Sequence, residues 1–336
     1  MLYVVIAYLW ASILLYLLLG GADFGAGILE LFTSDENRSN TRKTMYKAIG
    51  PIWEANHMWL IIAIVILFVG FPAIYTTMSI HLHIPLVIML MGIIARGTAF
   101  SFRNYDAVVD EMQLIYSRIF VYASVITPLF LGIIAGSTVA GRIDVQANTF
   151  AAAYIFSWLH WFSLAVGLFT VSICGFLAAV YLIGEADNEA DRMRFITKTK
   201  TTTIAAFGCG ALVFLAAKVE GIPLADWVFG NAVGALSISA ASLSLILFWY
   251  LLLRKKTRVL RVVAAFQVTM ILVAITYRHY PNIVLLRHGA PLSLMDVGDD
   301  KTIAALGWAL LIGSIFILPA LGYLIYSFNR KRPLLF

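Results

Sequence analysis

Nine runs of roughly 20 predominantly apolar residues constrain this chain more than anything else in it. They cover 3–31, 51–71, 76–101, 114–137, 152–183, 202–219, 231–253, 259–277 and 303–328. About 20 apolar residues are what a helix needs to cross the hydrocarbon layer of a bilayer. The 336 residues are 61% hydrophobic and only 12% charged, against about a quarter charged in soluble domains. The chain therefore reads as an all-α integral membrane protein with nine transmembrane helices, a single polytopic domain over 1–336. Its start, Met1-Leu2-Tyr3-Val4, has no basic n-region and is read as part of the first retained span.

Nine crossings put the two termini on opposite sides. Seventeen Lys and Arg fall on one set of connections and the C-terminal tail, among them Arg38, Arg42, Lys47, Arg103, Arg192, Arg254 and Arg330. Only five, Arg142, Lys218, Arg278, Arg287 and Lys301, fall on the other. Positive charge accumulates on the cytoplasmic side, so the N-terminus is expected outside and the C-terminus in the cytoplasm. The formal charge of +6 is modest, and nucleic acid is not an expected partner. The cluster Arg254-Lys255-Lys256-Thr257-Arg258 is mainly topogenic and suits anionic lipid headgroups. Cys174 and Cys209 sit in apolar runs without CxxC spacing and read as small buried hydrophobes.

Against this background, ionisable residues inside spans are costly and informative. The stretch Ile49-Gly50-Pro51-Ile52-Trp53-Glu54-Ala55-Asn56-His57-Met58-Trp59 leads into the second run. A carboxylate there costs about 3 kcal/mol to insert, so Glu54 calls for a partner or a task. Asp23, in Gly20-Gly21-Ala22-Asp23-Phe24-Gly25-Ala26-Gly27, and Arg96, in Ala95-Arg96-Gly97-Thr98-Ala99, are the candidates. Counting roughly 1.5 Å per residue from the inner ends puts all three in the cytoplasmic third of the membrane. Arg96 can neutralise one carboxylate. The other is left desolvated beside a like charge, the condition in which a carboxyl exchanges protons near neutral pH.

Helical spacing supports such a site. Gly20, Asp23 and Gly27 share a face, and Gly21 with Gly25 makes a GxxxG step for close helix approach. Arg96 and Arg103 share another face, Glu54 and His57 are i, i+3 neighbours, and Asn56 adds an amide. The expected proton pathway comprises Asp23, Glu54, His57, Asn56, Arg96 and Arg103. Trp53, Gly21, Gly25 and Gly27 are expected to pack beside it. Two other classes of function fit the same residues: a proton-coupled secondary transporter, and a scaffold whose buried charges only fix packing. No inverted repeat or pair of broken helices favours a transporter. A haem site would need histidines facing the bundle interior at matched depth, and the six histidines do not offer them. His81, His83, His279 and His288 fall in outer turns, His57 lies near the inner end, and only His160 is expected well inside a span, alone. No metal or cofactor ligand set is expected in this chain.

At these motifs the chain resembles subunit II of the cytochrome bd-type quinol oxidases. Gly21-Ala22-Asp23-Phe24-Gly25-Ala26-Gly27, then Gly50 to Trp59, then Arg96-Gly97-Thr98-Ala99-Phe100-Ser101-Phe102-Arg103 carry the likeness, in matching order and spacing. The outer stretches Tyr280-Pro281 and Gly289-Ala290-Pro291-Leu292-Ser293-Leu294 add weaker matches. The resemblance implies two four-helix bundles, 1–137 and 152–277, plus a peripheral ninth helix, 303–328. It implies a complex in a bacterial or archaeal cell membrane that oxidises quinol, reduces O2 to water and generates proton motive force. Two b-type haems, one d-type haem and the quinol site belong to the partner, subunit I. This chain would be its haem-free pseudo-twin, with room for a small single-helix accessory subunit and bound membrane lipid. Asp23 and Glu54 carry over as acids of a proton route from the cytoplasm. Some members have aspartate where this chain has Glu54. An acidic residue expected near the start of helix four is absent, where the chain reads Leu114-Ile115-Tyr116-Ser117-Arg118. Arg118 is left there as a charge with no assigned partner.

Overall fold

The computed structural model describes residues 1–50, 53–105, 111–254 and 256–330. Pro51 and Ile52 of the central motif, Lys255 and the tail beyond 330 lie outside the described residues. Among the described residues, nine helical spans are long and apolar enough to cross a membrane: Leu2–Leu31, Trp53–Gly70, His83–Arg103, Met112–Val139, Trp161–Ile183, Glu189–Val219, Ala232–Leu253, Val259–His279 and Asp300–Leu324.

The first span is composite. It joins α1 (Leu2–Leu15), a π-helical turn (Tyr16–Gly20) and α2 (Gly21–Leu31). A π-turn inside a helix often marks a functional position, and this one ends three residues before Asp23. The polar helix α3 (Asp35–Ile49) follows and docks on Thr41, Thr44, Met45 and Ile49. Then come α4 (Trp53–Gly70), α5 (Pro72–His81), α6 (His83–Tyr105), α7 (Glu111–Val139), α8 (Phe150–Tyr154), α9 (Trp161–Ile183), α10 (Glu189–Val219), α11 (Leu224–Phe229), α12 (Ala232–Leu253), α13 (Thr257–His279) and α14 (Asp300–Arg330). Between α13 and α14, β1 (Asn282–Val284) and β2 (Leu292–Ser293) pair antiparallel. The loop after α7 is tied to them, since Ile143 bridges Leu286 and Arg287 N donates to Ile143 O at 2.8 Å.

Several boundaries differ from those expected, each for a local reason. The run 152–183 is not one helix. His160 leaves helical geometry (φ −147°, ψ 161°), and its imidazole accepts from Ser163 N at 3.3 Å, capping α9. His160 therefore stands at the end of a span and not inside one. The third span starts at His83 rather than 76, because Pro72 opens a separate short helix whose first turn tolerates a missing N–H. The sixth reaches back to Glu189, where the Asn188 side chain accepts from Asp191 N at 2.7 Å as N-cap. At α14, Asp299 accepts from the Thr302 hydroxyl and from the Lys301 and Thr302 amides, and these bonds hold its carboxyl below the usual aspartate range.

Helix α9 is the central post. It packs on α2 and α7 as well as on α10 and α13, so one apolar core, including Leu29, Phe120, Leu177, Phe195 and Phe248, runs through both halves of the chain. A second core, built on Val5, Leu9, Ile66, Phe71, Ile133 and Val284, fills the end opposite α3. Close approach of α2 depends on its glycines. A methyl group on Gly25 would sit 1.9 Å from the Cys174 carbonyl oxygen, and one on Gly27 would sit 2.2 Å from Ser124 Oγ. Gly21 is less constrained, its nearest neighbour being Cys174 Sγ at 3.4 Å.

Candidate functional site: a buried carboxylate–guanidinium ladder

Asp23 and Arg96 are each 1% exposed. The guanidinium grips the carboxylate with both terminal nitrogens, Nη2–Oδ1 at 2.7 Å and Nη1–Oδ2 at 2.9 Å. Nη2 also donates to the Asp23 carbonyl oxygen at 2.9 Å, and Nε to Ser124 Oγ at 3.0 Å. All five N–H donors of a guanidinium need partners when buried, and this arrangement supplies most of them. The rings of Phe120 and Phe24 flank the cation at 4.8 and 5.1 Å from Cζ.

Two helical turns toward α3 the pattern repeats. Glu30, fully buried, accepts from Arg103 Nη1 at 2.9 and 3.2 Å and from Arg42 Nε at 2.5 Å. Arg103 stands 4.1 Å over the same Phe120 ring. Asp23 and Glu30 are seven apart on α2, and Arg96 and Arg103 are seven apart on α6. Seven residues bring a helix nearly to the same face about 10 Å further on. The result is a two-rung ladder, with Phe120 of α7 between the rungs. Sequence reasoning missed Glu30 as a site residue. Its signal was the matched seven-residue spacing of the two acids and the two arginines.

The structure brings His57 to the upper rung. Its Nε2 is 4.0 Å from Asp23 Oδ2, and its ring lies among Phe24, Tyr16 and Trp53 at centroid distances of 5.8, 6.0 and 6.4 Å. Nδ1 of His57 is buried without a hydrogen-bond partner among the described residues, as are Tyr16 Oη and Trp59 Nε1. Asn56 is buried on the inward face of α4. Trp53 lies over Gly97, where a methyl group would be 3.3 Å from its ring.

Glu54 does not join Asp23 and Arg96. It is exposed on the surface of the chain. The face of α4 that packs inward carries Asn56, Trp59, Ala63, Ile66 and Gly70. At about 100° per residue, Glu54 lies about 200° from Asn56. The expected single cluster of three is therefore an Asp23–Arg96 pair with His57 beside it and Glu54 one turn away on the outside. Arg103 serves Glu30, not the upper rung.

A second polar cluster lies at the opposite end. Glu220 accepts from Trp161 N at 2.7 Å and sits 3.1 Å from His160 Nδ1 and 3.6 Å from Arg142 Nη2. Burial of the imidazole pulls His160 below the usual histidine range, more than the Glu220 carboxylate pushes it up. No group of three His, Cys, Asp or Glu among the described residues is placed to hold a metal ion. Among the described residues, one surface cavity lies beside Glu30 and another is lined by Trp10, Val273, Thr276, Tyr277 and Tyr280.

Fold and interior together define a multi-pass helical membrane protein organised around buried carboxylate–guanidinium pairs. Comparison with known proteins narrows the class. The family described as cytochrome bd terminal oxidase subunit II matches residues 1–328, and the chain belongs to that family. It is 28% identical over 184 residues to cytochrome bd ubiquinol oxidase subunit 2 of Bacillus subtilis, covering 53% of each chain. It is 26% identical over 222 residues to cytochrome bd-I ubiquinol oxidase subunit 2 of Escherichia coli K12, covering 63% of this chain and 55% of that one. The matched stretch thus spans about half the length of these relatives. In three dimensions the chain resembles a chain of the bd oxidase from Geobacillus thermodenitrificans, with a TM-score of 0.79 and 20% identity over 98% of this chain and 99% of that one.

Proposed function

We propose that the chain is the haem-free second subunit of a quinol-oxidising terminal oxidase in a bacterial cell membrane, and that Glu54, His57 and the Asp23–Arg96 rung belong to its proton-uptake route. Family membership supports the first part. The haems, held by a partner subunit in this reading, supply the oxygen chemistry. This chain's residues move and hold protons, and the two four-helix sets form a wall against the partner.

One observation carries the proton role. His57 stands between an exposed carboxylate and a buried one. Asp23 is bound by three hydrogen bonds from Arg96, so it is a fixed anion and a poor carrier. His57 has a buried Nδ1 with no partner among the described residues and an Nε2 facing that anion, so one ring nitrogen can take a proton while the other releases one. Glu54, three residues earlier on the same helix, reaches the surface. A lipid-facing carboxylate at this depth is costly, which favours coverage by a partner subunit or water. Buried polar groups are ordinarily satisfied, so the unpaired Tyr16 Oη, His57 Nδ1 and Trp59 Nε1 mark the part of the interior able to bind water.

The test uses the assembled complex, purified through this chain. Its visible spectrum and subunit content should reveal a haem-bearing partner, and quinol should drive oxygen uptake. Glu54→Gln should lower that uptake about tenfold or more, as loss of a positioned proton-transfer group does, while Glu54→Asp should retain most of it. Full activity in Glu54→Gln would exclude the relay. Co-purification without haem would favour a transporter.

A further inference from the structure

We propose that the cavity between α2, α3 and α7 binds the phosphate of an anionic phospholipid from the leaflet on the α3 side. The cavity has a volume of about 240 Å³. Three guanidinium groups line it, Arg38, Arg42 and Arg118, against one carboxylate, Glu30. That carboxylate is already committed to Arg42 and Arg103. Among the described residues, Arg38 pairs with the exposed Asp35 at 2.5 Å and, at 3.4 Å, with the Thr33 carbonyl. Arg118 has no ion-pair or hydrogen-bond partner among the described residues. Among the described residues that line the cavity, positive charge therefore exceeds negative charge.

A second, independent feature points to a ligand. Ser117, 5% exposed, lines the same cavity, and its Oγ is buried with no hydrogen-bond partner among the described residues. A buried hydroxyl ordinarily finds an acceptor. A phosphodiester offers two anionic oxygens, which suit a guanidinium fork and a hydroxyl donor together.

The surroundings favour a lipid over free phosphate. Leu114, Arg118 and Tyr122 recur every four residues and so form one stripe along α7. Leu114 is 61% and Tyr122 58% exposed. Arg118 lies six residues into the span that begins at Met112, about 9 Å along the helix. At that depth a long basic side chain reaches the headgroup level while its stem stays among apolar neighbours. The apolar residues flanking it match the start of an acyl chain, and a free phosphate would gain nothing from them. This inference does not depend on the oxidase reading.

The experiment is lipid retention by the full-length complex after delipidation, read by native mass spectrometry during titration with phosphatidylglycerol. The wild type should hold one phosphatidylglycerol at this site in preference to neutral phosphatidylcholine. Arg118→Gln should weaken it about tenfold, the loss of one charge-assisted contact, and Ser117→Ala by less. Arg118→Lys should recover part of the affinity. An unchanged unfolding midpoint will show that these variants are folded. Equal retention of phosphatidylglycerol by the wild type, Arg118→Gln and Ser117→Ala would overturn the proposal. Displacement of the lipid by millimolar inorganic phosphate, with phosphate binding lost in Arg118→Gln, would overturn the lipid assignment in favour of a free anion.

Discussion

Replacing Arg96 by leucine removes the cation that holds Asp23. The carboxylate then loses hydrogen bonds of 2.7 and 2.9 Å, its backbone carbonyl loses another, and the nearest ion-pair contact left to it is the His57 imidazole at 4.0 Å. An uncompensated charge in this interior costs about 3–5 kcal/mol, and Asp23→Leu, which strands the guanidinium instead, should cost about the same. The double variant removes both charges, and apolar replacement of a buried pair is often nearly neutral, so its cost should be below about 2 kcal/mol. The cycle should therefore show a coupling of about 3 kcal/mol or more. Unfolding of the full-length chain in mixed micelles with increasing dodecyl sulfate, followed by tryptophan fluorescence, measures each corner. Additivity to within about 0.5 kcal/mol would refute the buried pair. The same variants separate scaffold from relay. If the double variant is stable and its complex turns over at the wild-type rate, the upper rung only fixes packing. If it is stable but slow, the rung takes part in proton movement.

Two further outcomes follow from the geometry. Gly25→Ala drives a methyl group into the Cys174 carbonyl and to 2.7 Å from Ala178 Cβ, so it should cost about 1–3 kcal/mol in the same unfolding assay. Gly21→Ala, whose nearest contact is 3.4 Å, should cost under about 1 kcal/mol. The His160–Glu220 cluster should give a pH-dependent stability. Because burial lowers the folded-state value of His160, the unfolded chain takes up its proton first. Stability is full above the ordinary histidine value of about 6.5 and falls as pH drops from there toward the lower folded value. Thermal unfolding between pH 5 and 8 should show this slope, and His160→Gln should flatten it.

Much of this was legible in the residues, and the failures have physical causes. The nine spans follow from apolar length, and the Asp23–Arg96 pairing follows from two charges too costly to leave apart. Counting residues gives depth along a helix but not direction around it. Glu54 shares the level of Asp23 yet turns away, as the opposed Asn56 and Ala63 would have indicated. Glu30 escaped because it stands near the end of an apolar run, where acids are ordinarily solvated. Of the arginines that bury it, Arg42 comes from the next helix, α3, and Arg103 from α6, far away in sequence. The break at His160 carries no Pro or Gly, and only the capping role of its own imidazole reveals it.

The equal spacing of the two acids and the two arginines has a mechanical consequence. A slide of α2 against α6 by two helical turns would return each helix to nearly the same face. The paired rungs forbid it. A shift of seven residues would match one acid with the wrong arginine and strand the remaining two charges, each at a penalty of about 3–5 kcal/mol. The arrangement works as a vernier that sets one axial registration, in which each acid of α2 meets one arginine of α6 and no other.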